Sequence, residues 1–181
     1  LPDTTGSWDM TMNGKYLAVG TNGNGVTRPS VVVFDSSEEL GAPLLTSVLP
    51  AASSASAYVM SLAPDYESQE VFWVGTYDPA GARLYRLDIT DGSITDFTPG
   101  TQWAAAGIKY VRSLTTTDQG VVAGMGNPAS VWFLANSASE PAEVDGALGN
   151  IVASTTYAMA SSPRPTPAPG EEQESPVDPS P

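Results

Sequence analysis

The feature that most restricts what this chain can fold into is a short phrase that returns. Tyr16 to Thr21 reads YLAVGT, Phe72 to Thr76 reads FWVGT, and Val121 to Met125 reads VVAGM. Gly75 follows Gly20 by 55 residues, and Gly124 follows Gly75 by 49. Each phrase is preceded by another apolar run, SWDMTM from Ser7, AYVMSL from Ala57 and KYVRSL from Lys109. A third run follows it, VVVFD from Val31, LYRLD from Leu84 and VWFLA from Val131. A weaker fourth closes each copy, PLLTSVLP, GSITDFTP and PAEVDGA. Four short runs in a period of about 50 residues are the pattern of stacked four-stranded sheets.

The composition of the runs supports strands. Val, Leu, Tyr, Trp, Phe and Thr fill them, and Gly, Pro, Asn and Asp separate them. The Thr90 to Ser93 stretch, TDGS, reads as a tight turn between third and fourth strands. No window carries a helical apolar stripe. The expected fold class is therefore all-β: about three four-stranded β-propeller blades over 7–50, 57–99 and 109–147, with a partial fourth over 149–160. Complete propellers close with about four to eight blades, so three imply part of a larger ring or a ring closed by oligomerisation. Residues 161–181, SSPRPTPAPGEEQESPVDPSP, hold too little apolar surface to offset ordering entropy and read as a disordered linker, leaving 1–160 as the folded unit.

The three glycines fall at one place in each copy, where a side chain would crowd a neighbouring blade, so Gly20, Gly75 and Gly124 are read as structural. In the first runs, simple alternation puts Trp8, Tyr58 and Tyr110 at equivalent positions as a packing aromatic. Met10, Met60 and Arg112 follow two residues on, then Met12, Leu62 and Leu114, all on one strand face. Arg112 interrupts an apolar series there, and a guanidinium in that place needs a carboxylate or a ligand beside the channel.

The 7 Lys and Arg against 20 Asp and Glu give a net charge of −13. That balance disfavours phosphate backbones and anionic lipid surfaces, so neither nucleic acid nor membrane insertion is expected. With no Cys and no His, disulfides, Cys or His metal sites and His-dependent triads are excluded. No metal or other cofactor is expected. The oxygen-rich DITDGSITD stretch from Asp88 does not follow the EF-hand register.

The pieces VFWVGTYDPAGARLYRLD and YVRSL…GVVAGMGNPASVWFL resemble the blades of YVTN/PQQ-like and WD40-like β-propellers of exported bacterial proteins. The likeness covers about Ser7 to Ala135. It implies a secreted or cell-surface location, often beside carbohydrate-processing or surface-attached modules. The chain departs from the Trp-Asp ending of true WD40 blades, reading Phe34-Asp35, Leu87-Asp88 and Leu134-Ala135. Tryptophan-docking motifs and a vicinal disulfide are absent too, so no quinone is implied.

In such a ring, second-to-third loops and blade-to-blade loops share one rim. They would bring Trp103, Tyr77, Arg28, Arg83, Asp78 and Asn127 together, with Arg112 in the channel. Aromatic faces beside amide, carboxylate and guanidinium groups suit a sugar or a protein surface. The plainer alternative has Trp103 covering an inter-blade gap and the arginines pairing with local aspartates. Function is expected to be non-catalytic binding or scaffolding, with self-association possible through open blade edges. The alternative is the propeller portion of a carbohydrate-active enzyme, a lyase or hydrolase, for which no carboxylate pair is singled out.

Overall fold

A computed structural model of the chain describes residues 7–23, 28–37, 42–50, 57–98, 106–126, 130–136 and 141–144. The expected partial fourth blade at 149–160 and the linker at 161–181 lie outside the described residues, as do Trp103 and Asn127. The described residues form an all-β protein without helices. None of them belongs to a helix long and apolar enough to cross a membrane.

Among the described residues, twelve strands form three antiparallel meanders. The first joins β1 (Ser7–Asn13), β2 (Tyr16–Thr21), β3 (Ser30–Asp35) and β4 (Leu45–Val48). The second joins β5 (Tyr58–Pro64), β6 (Val71–Tyr77), β7 (Leu84–Asp88) and β8 (Ile94–Asp96). The third joins β9 (Tyr110–Thr117), β10 (Gly120–Gly126), β11 (Val131–Ala135) and β12 (Ala142–Glu143). The first meander is an open four-stranded sheet. The second and third join through one residue pair, Tyr77 with Tyr110, into an eight-stranded sheet curled as a half-barrel.

The sheets stack face to face around two cores. Between the first and second meanders lie Ala18, Val31 and Val33 from one side and Leu62, Phe72, Val74, Tyr85 and Leu87 from the other. Between the second and third lie Ala63, Trp73 and Leu84 against Leu114, Val121, Ala123, Trp132 and Leu134. Register makes the two interfaces equivalent: Leu62 corresponds to Leu114, Val74 to Ala123, Tyr85 to Trp132. The second and third meanders each bury one apolar face against the preceding one, as the alternation along their strands requires.

The repeated Val-Gly-Thr phrase has a separate cause at each residue. A Cβ on Gly20 would overlap Val59 of the next meander, and one on Gly75 would overlap Val111 and the Ser61 hydroxyl. Glycine is what allows the neighbouring valine to seat against the backbone. The threonine then clamps the following loop: Thr21 Oγ1 accepts from Ser30 N at 3.0 Å, and Thr76 Oγ1 from Arg83 N at 2.9 Å. Strand ends are closed by aspartates, with Asp35 Oδ1 accepting from Ser37 N and Asp88 Oδ1 from Thr90 N.

One expectation is corrected here. Each first strand carries a β-bulge, between Ser7 and Asp9, between Val59 and Ser61, and between Val111 and Ser113. The extra residues are Trp8, Met60 and Arg112. Trp8 is therefore equivalent to Met60 and Arg112, not to Tyr58 and Tyr110, and Met10 is equivalent to Leu62 and Leu114. Because a bulge inserts one residue, it reverses the alternation beyond it. Tyr58 and Leu62 consequently point to opposite faces, and the three sets do not share one.

First strands are also tied to the next meander by side-chain hydrogen bonds. Leu62 N donates to Asp9 Oδ2 at 2.6 Å, and Ser61 Oγ donates to the Val111 carbonyl at 2.8 Å. Asn13 Nδ2 donates to the carbonyls of Ser68 and Val71 at 2.7 and 3.0 Å, and Thr116 Oγ1 to that of Pro64 at 2.7 Å.

Asp9 gives this contact a pH dependence. Burial raises its carboxyl pKa, and the bonds from Leu62 N and Met10 N offset only part of that. A raised folded-state value means that the folded chain binds the proton more tightly than the unfolded chain. The contribution to stability is then full below the unfolded value near 3.8 and lost as pH rises through the folded one. Asp35 behaves oppositely: Lys15, 2.6 Å away, holds it down at about 2, so its contribution is lost only as pH falls through that value. In urea melts at pH 4 and pH 7, Asp9→Asn is expected to gain on the wild-type chain as pH rises, because the amide still accepts from Leu62 N without a charge to desolvate. Equal differences at both pH values would refute this.

Candidate functional site

The strand ends nearest the inter-sheet bridges bring five residues into one row. Asn22 bridges Tyr58, Tyr58 pairs with Tyr77 within the second meander, Tyr77 bridges Tyr110, and Tyr110 pairs with Gly126 within the third. The row therefore crosses all three meanders at strand spacing, about 4.7–4.9 Å per step. The rings keep that spacing: the Tyr58 and Tyr77 centroids are 4.7 Å apart at 31°, and those of Tyr77 and Tyr110 are 4.7 Å apart at 28°. Arg112, the bulge residue of β9, lays its guanidinium 4.5 Å over the Tyr110 ring.

This places two candidate ligand residues, Tyr77 and Arg112, in one array with two residues read as packing aromatics. Tyr58 and Tyr110 are half-buried rather than core. The geometry also changes what the array offers. Both faces of Tyr77 are covered by rings, and Tyr110 lies between Tyr77 and Arg112. The array therefore offers three stacked, half-buried phenols with a guanidinium at one end, groups suited to hydrogen bonding more than to flat stacking. Burial raises the Tyr58 pKa, Tyr110 and Tyr77 add to the rise, and Arg112 opposes it, so this hydroxyl is a neutral donor at physiological pH.

Three other rim candidates, Arg28, Arg83 and Asp78, lie around Tyr85. Its buried hydroxyl donates to the Pro50 carbonyl at 2.6 Å. Its pKa is raised far above the usual range, first by burial, with Asp96, Arg83, Asp78 and Arg28 all close enough for their charges to act on it. Arg28, Arg83 and Asp78 are thus brought together, but two of them serve the fold. Arg83 is held by Asp96 at 2.6 Å. Asp78 is 1% exposed and shapes its turn, accepting from Ala80 N at 2.8 Å and Gly81 N at 3.0 Å. Arg28 is exposed. The pairing of arginines with local aspartates therefore holds for Arg83.

A groove of about 350 Å³ lies at the opposite strand ends, between the second and third meanders. Asp65, Trp73, Arg86, Phe97, Leu134 and Asn136 line it. Trp73 Nε1 donates to Asp65 Oδ2 at 2.8 Å, and its ring meets Phe97 at 5.4 Å. Sequence reasoning did not single it out, since its walls come from five separate segments. Among the described residues, no cluster of three or more His, Cys, Asp or Glu side chains could hold a metal. Comparison with family models and with curated proteins found no match.

Proposed function

We propose that this chain is a non-catalytic binding module built from β-propeller blades, part of an exported protein as the resemblance of its repeats implies, and that it recognises a glycan along the Tyr58, Tyr77, Tyr110 and Arg112 row. Three meanders in sequential order, related by the same bridge, the same glycine contact and the same face-to-face core, support the propeller reading. The row carries the functional reading. It is a preformed line of hydroxyl and guanidinium groups on rigid strand ends, and sugar hydroxyls are matched by such groups at little ordering cost. Tyr and Arg also anchor protein interfaces, so a protein partner on the same row is the second reading.

A glycan panel titrated against the whole chain tests this. Arg112→Ala is expected to weaken the best-bound glycan about tenfold, the effect of losing roughly 1.4 kcal/mol, with melting temperature nearly unchanged. Absence of any glycan binding by the wild-type chain would overturn the glycan reading, and release of new sugar ends during the titration would overturn the non-catalytic one.

A further inference from the structure

The groove between the second and third meanders lies where two residues depart from the repeat. Asp65 occupies the place of Asn13, each ending a first strand opposite the start of the second. Asn13 Nδ2 crosses to the next meander, donating to the Ser68 and Val71 carbonyls, and so ties that end of the first interface shut. A carboxylate has no proton to offer a carbonyl. Asp65 accepts from Trp73 Nε1 at 2.8 Å and from Glu67 N and Ser68 N at 3.0 Å, all in its own meander. Arg86 is the second departure. It pairs with Trp73 across the sheet as Val33 pairs with Ala18 and Phe133 with Val122. Val33 is fully buried against the second meander, whereas Arg86 sets a guanidinium at that position with its side chain 37% exposed.

The lining holds donors and acceptors that the fold leaves open. The ion pair of Arg86 Nη1 with Asp88 is 3.9 Å long, beyond hydrogen-bond distance. Glu67 is exposed, and its carboxylate accepts no hydrogen bond among the described residues. Asn136 Nδ2 donates to the Asp118 carbonyl at 3.0 Å, which keeps the amide oxygen as an acceptor. Carbon surface comes from Phe97, half-buried and 5.4 Å from the Trp73 ring.

We propose that this groove is a second ligand site, separate from the tyrosine row, and that it takes one neutral pyranose sugar. Its volume of about 350 Å³ is at the lower end of small-molecule sites, which suits a single ring compound. A free anion would meet Asp65 and Glu67 in a chain of net charge −13, and a cation would meet Arg86. A hydroxyl both donates and accepts, so a neutral polyhydroxylated ring can engage the Arg86 N–H groups and the Glu67 carboxylate together. The C–H face of such a ring matches the carbon surface of Phe97. The groove lies at the opposite strand ends from the row and does not depend on what the row binds.

Nuclear magnetic resonance of the full chain tests this with glucose, galactose and mannose as probes. The Trp73 indole N–H reports from inside the groove and is assigned by its loss in Trp73→Phe. At least one of the three sugars is expected to shift that signal, saturably. Arg86→Met is expected to weaken that binding about tenfold or more, the share of a hydrogen bond from a charged donor. Its melting temperature should stay close to that of wild type, because the repeat carries apolar Val33 and Phe133 at the same position. Acetate and methylammonium are expected to leave the signal in place. The proposal is overturned if none of the sugars moves the Trp73 signal, if Arg86→Met binds as tightly as wild type, or if either ion binds better than the sugars. Sugar binding that moves only the signals of Tyr58, Tyr77 and Tyr110 would overturn the groove and leave the row standing. The converse result would leave the groove standing and remove support from the row.

Discussion

Gly75→Val is expected to lower stability by about 3 kcal/mol, the upper part of the usual range for forcing carbon into a filled interior. The reason is the rigidity of what the new atoms would meet. A Cβ at position 75 overlaps Val111 Cγ1 and the Ser61 hydroxyl and stands 2.7 Å from Val111 Cβ. Val111 is β-branched and fully buried on β9, so it has no alternative rotamer into open space. The second and third meanders must separate, loosening their shared core and the Ser61 to Val111 hydrogen bond together. Thermal melts should show a fall of roughly 10 °C. Pairing Gly75→Ala with Val111→Ala should recover part of the loss of Gly75→Ala alone, because neighbouring substitutions that share a collision do not add. A Gly75→Val chain within about 0.5 kcal/mol of wild type, the range of inert surface changes, would show that the meanders are not held at this distance.

Tyr77→Ala is expected to have the largest effect on binding and a substantial one on stability. Tyr77 is the only ring that touches both others, at 4.7 Å on each side. Its removal leaves Tyr58 and Tyr110 two strand spacings apart, too far to stack. Two ring contacts at about 0.5–1.5 kcal/mol each are lost, so a stability loss near 2 kcal/mol is expected. Glycan affinity should fall by at least tenfold, because the flanking hydroxyls lose the positions that made the row a preformed surface. Tyr77→Phe separates the two effects: the stack remains, so stability should hold, while affinity drops by the share of one hydroxyl. If Tyr77→Ala binds as tightly as wild type, the row is not the site.

Much of the fold was legible from local chemistry. Four runs per period, the turn residues between them and the glycine at a constant place each depend on a few adjacent residues, and each has a counterpart in the structure. The face assignment of the first strands was not legible. Trp8, Met60 and Arg112 occupy one structural position and have nothing chemical in common. A bulge needs a backbone irregularity and no particular side chain, so alternation counted straight through it puts Tyr58 on the wrong face. The site was legible in fragments: Tyr77 and Arg112 were singled out from loop position and from a break in an apolar series, but their connection through Tyr58 and Tyr110 was not.

The sequence by itself determined the strands, their grouping into fours and the places where a neighbouring backbone must come close. Those are set by alternation, turn chemistry and the missing Cβ of Gly20 and Gly75, all of which act within a few residues. Tertiary structure alone decided which residues meet across meanders. Tyr58, Tyr77 and Tyr110 belong to three strands and form one row only because β5 pairs with β6 and one residue pair joins β6 to β9. Nothing in the spacing of 58, 77 and 110 along the chain encodes that, since the distance between stacked rings comes from strands lying side by side.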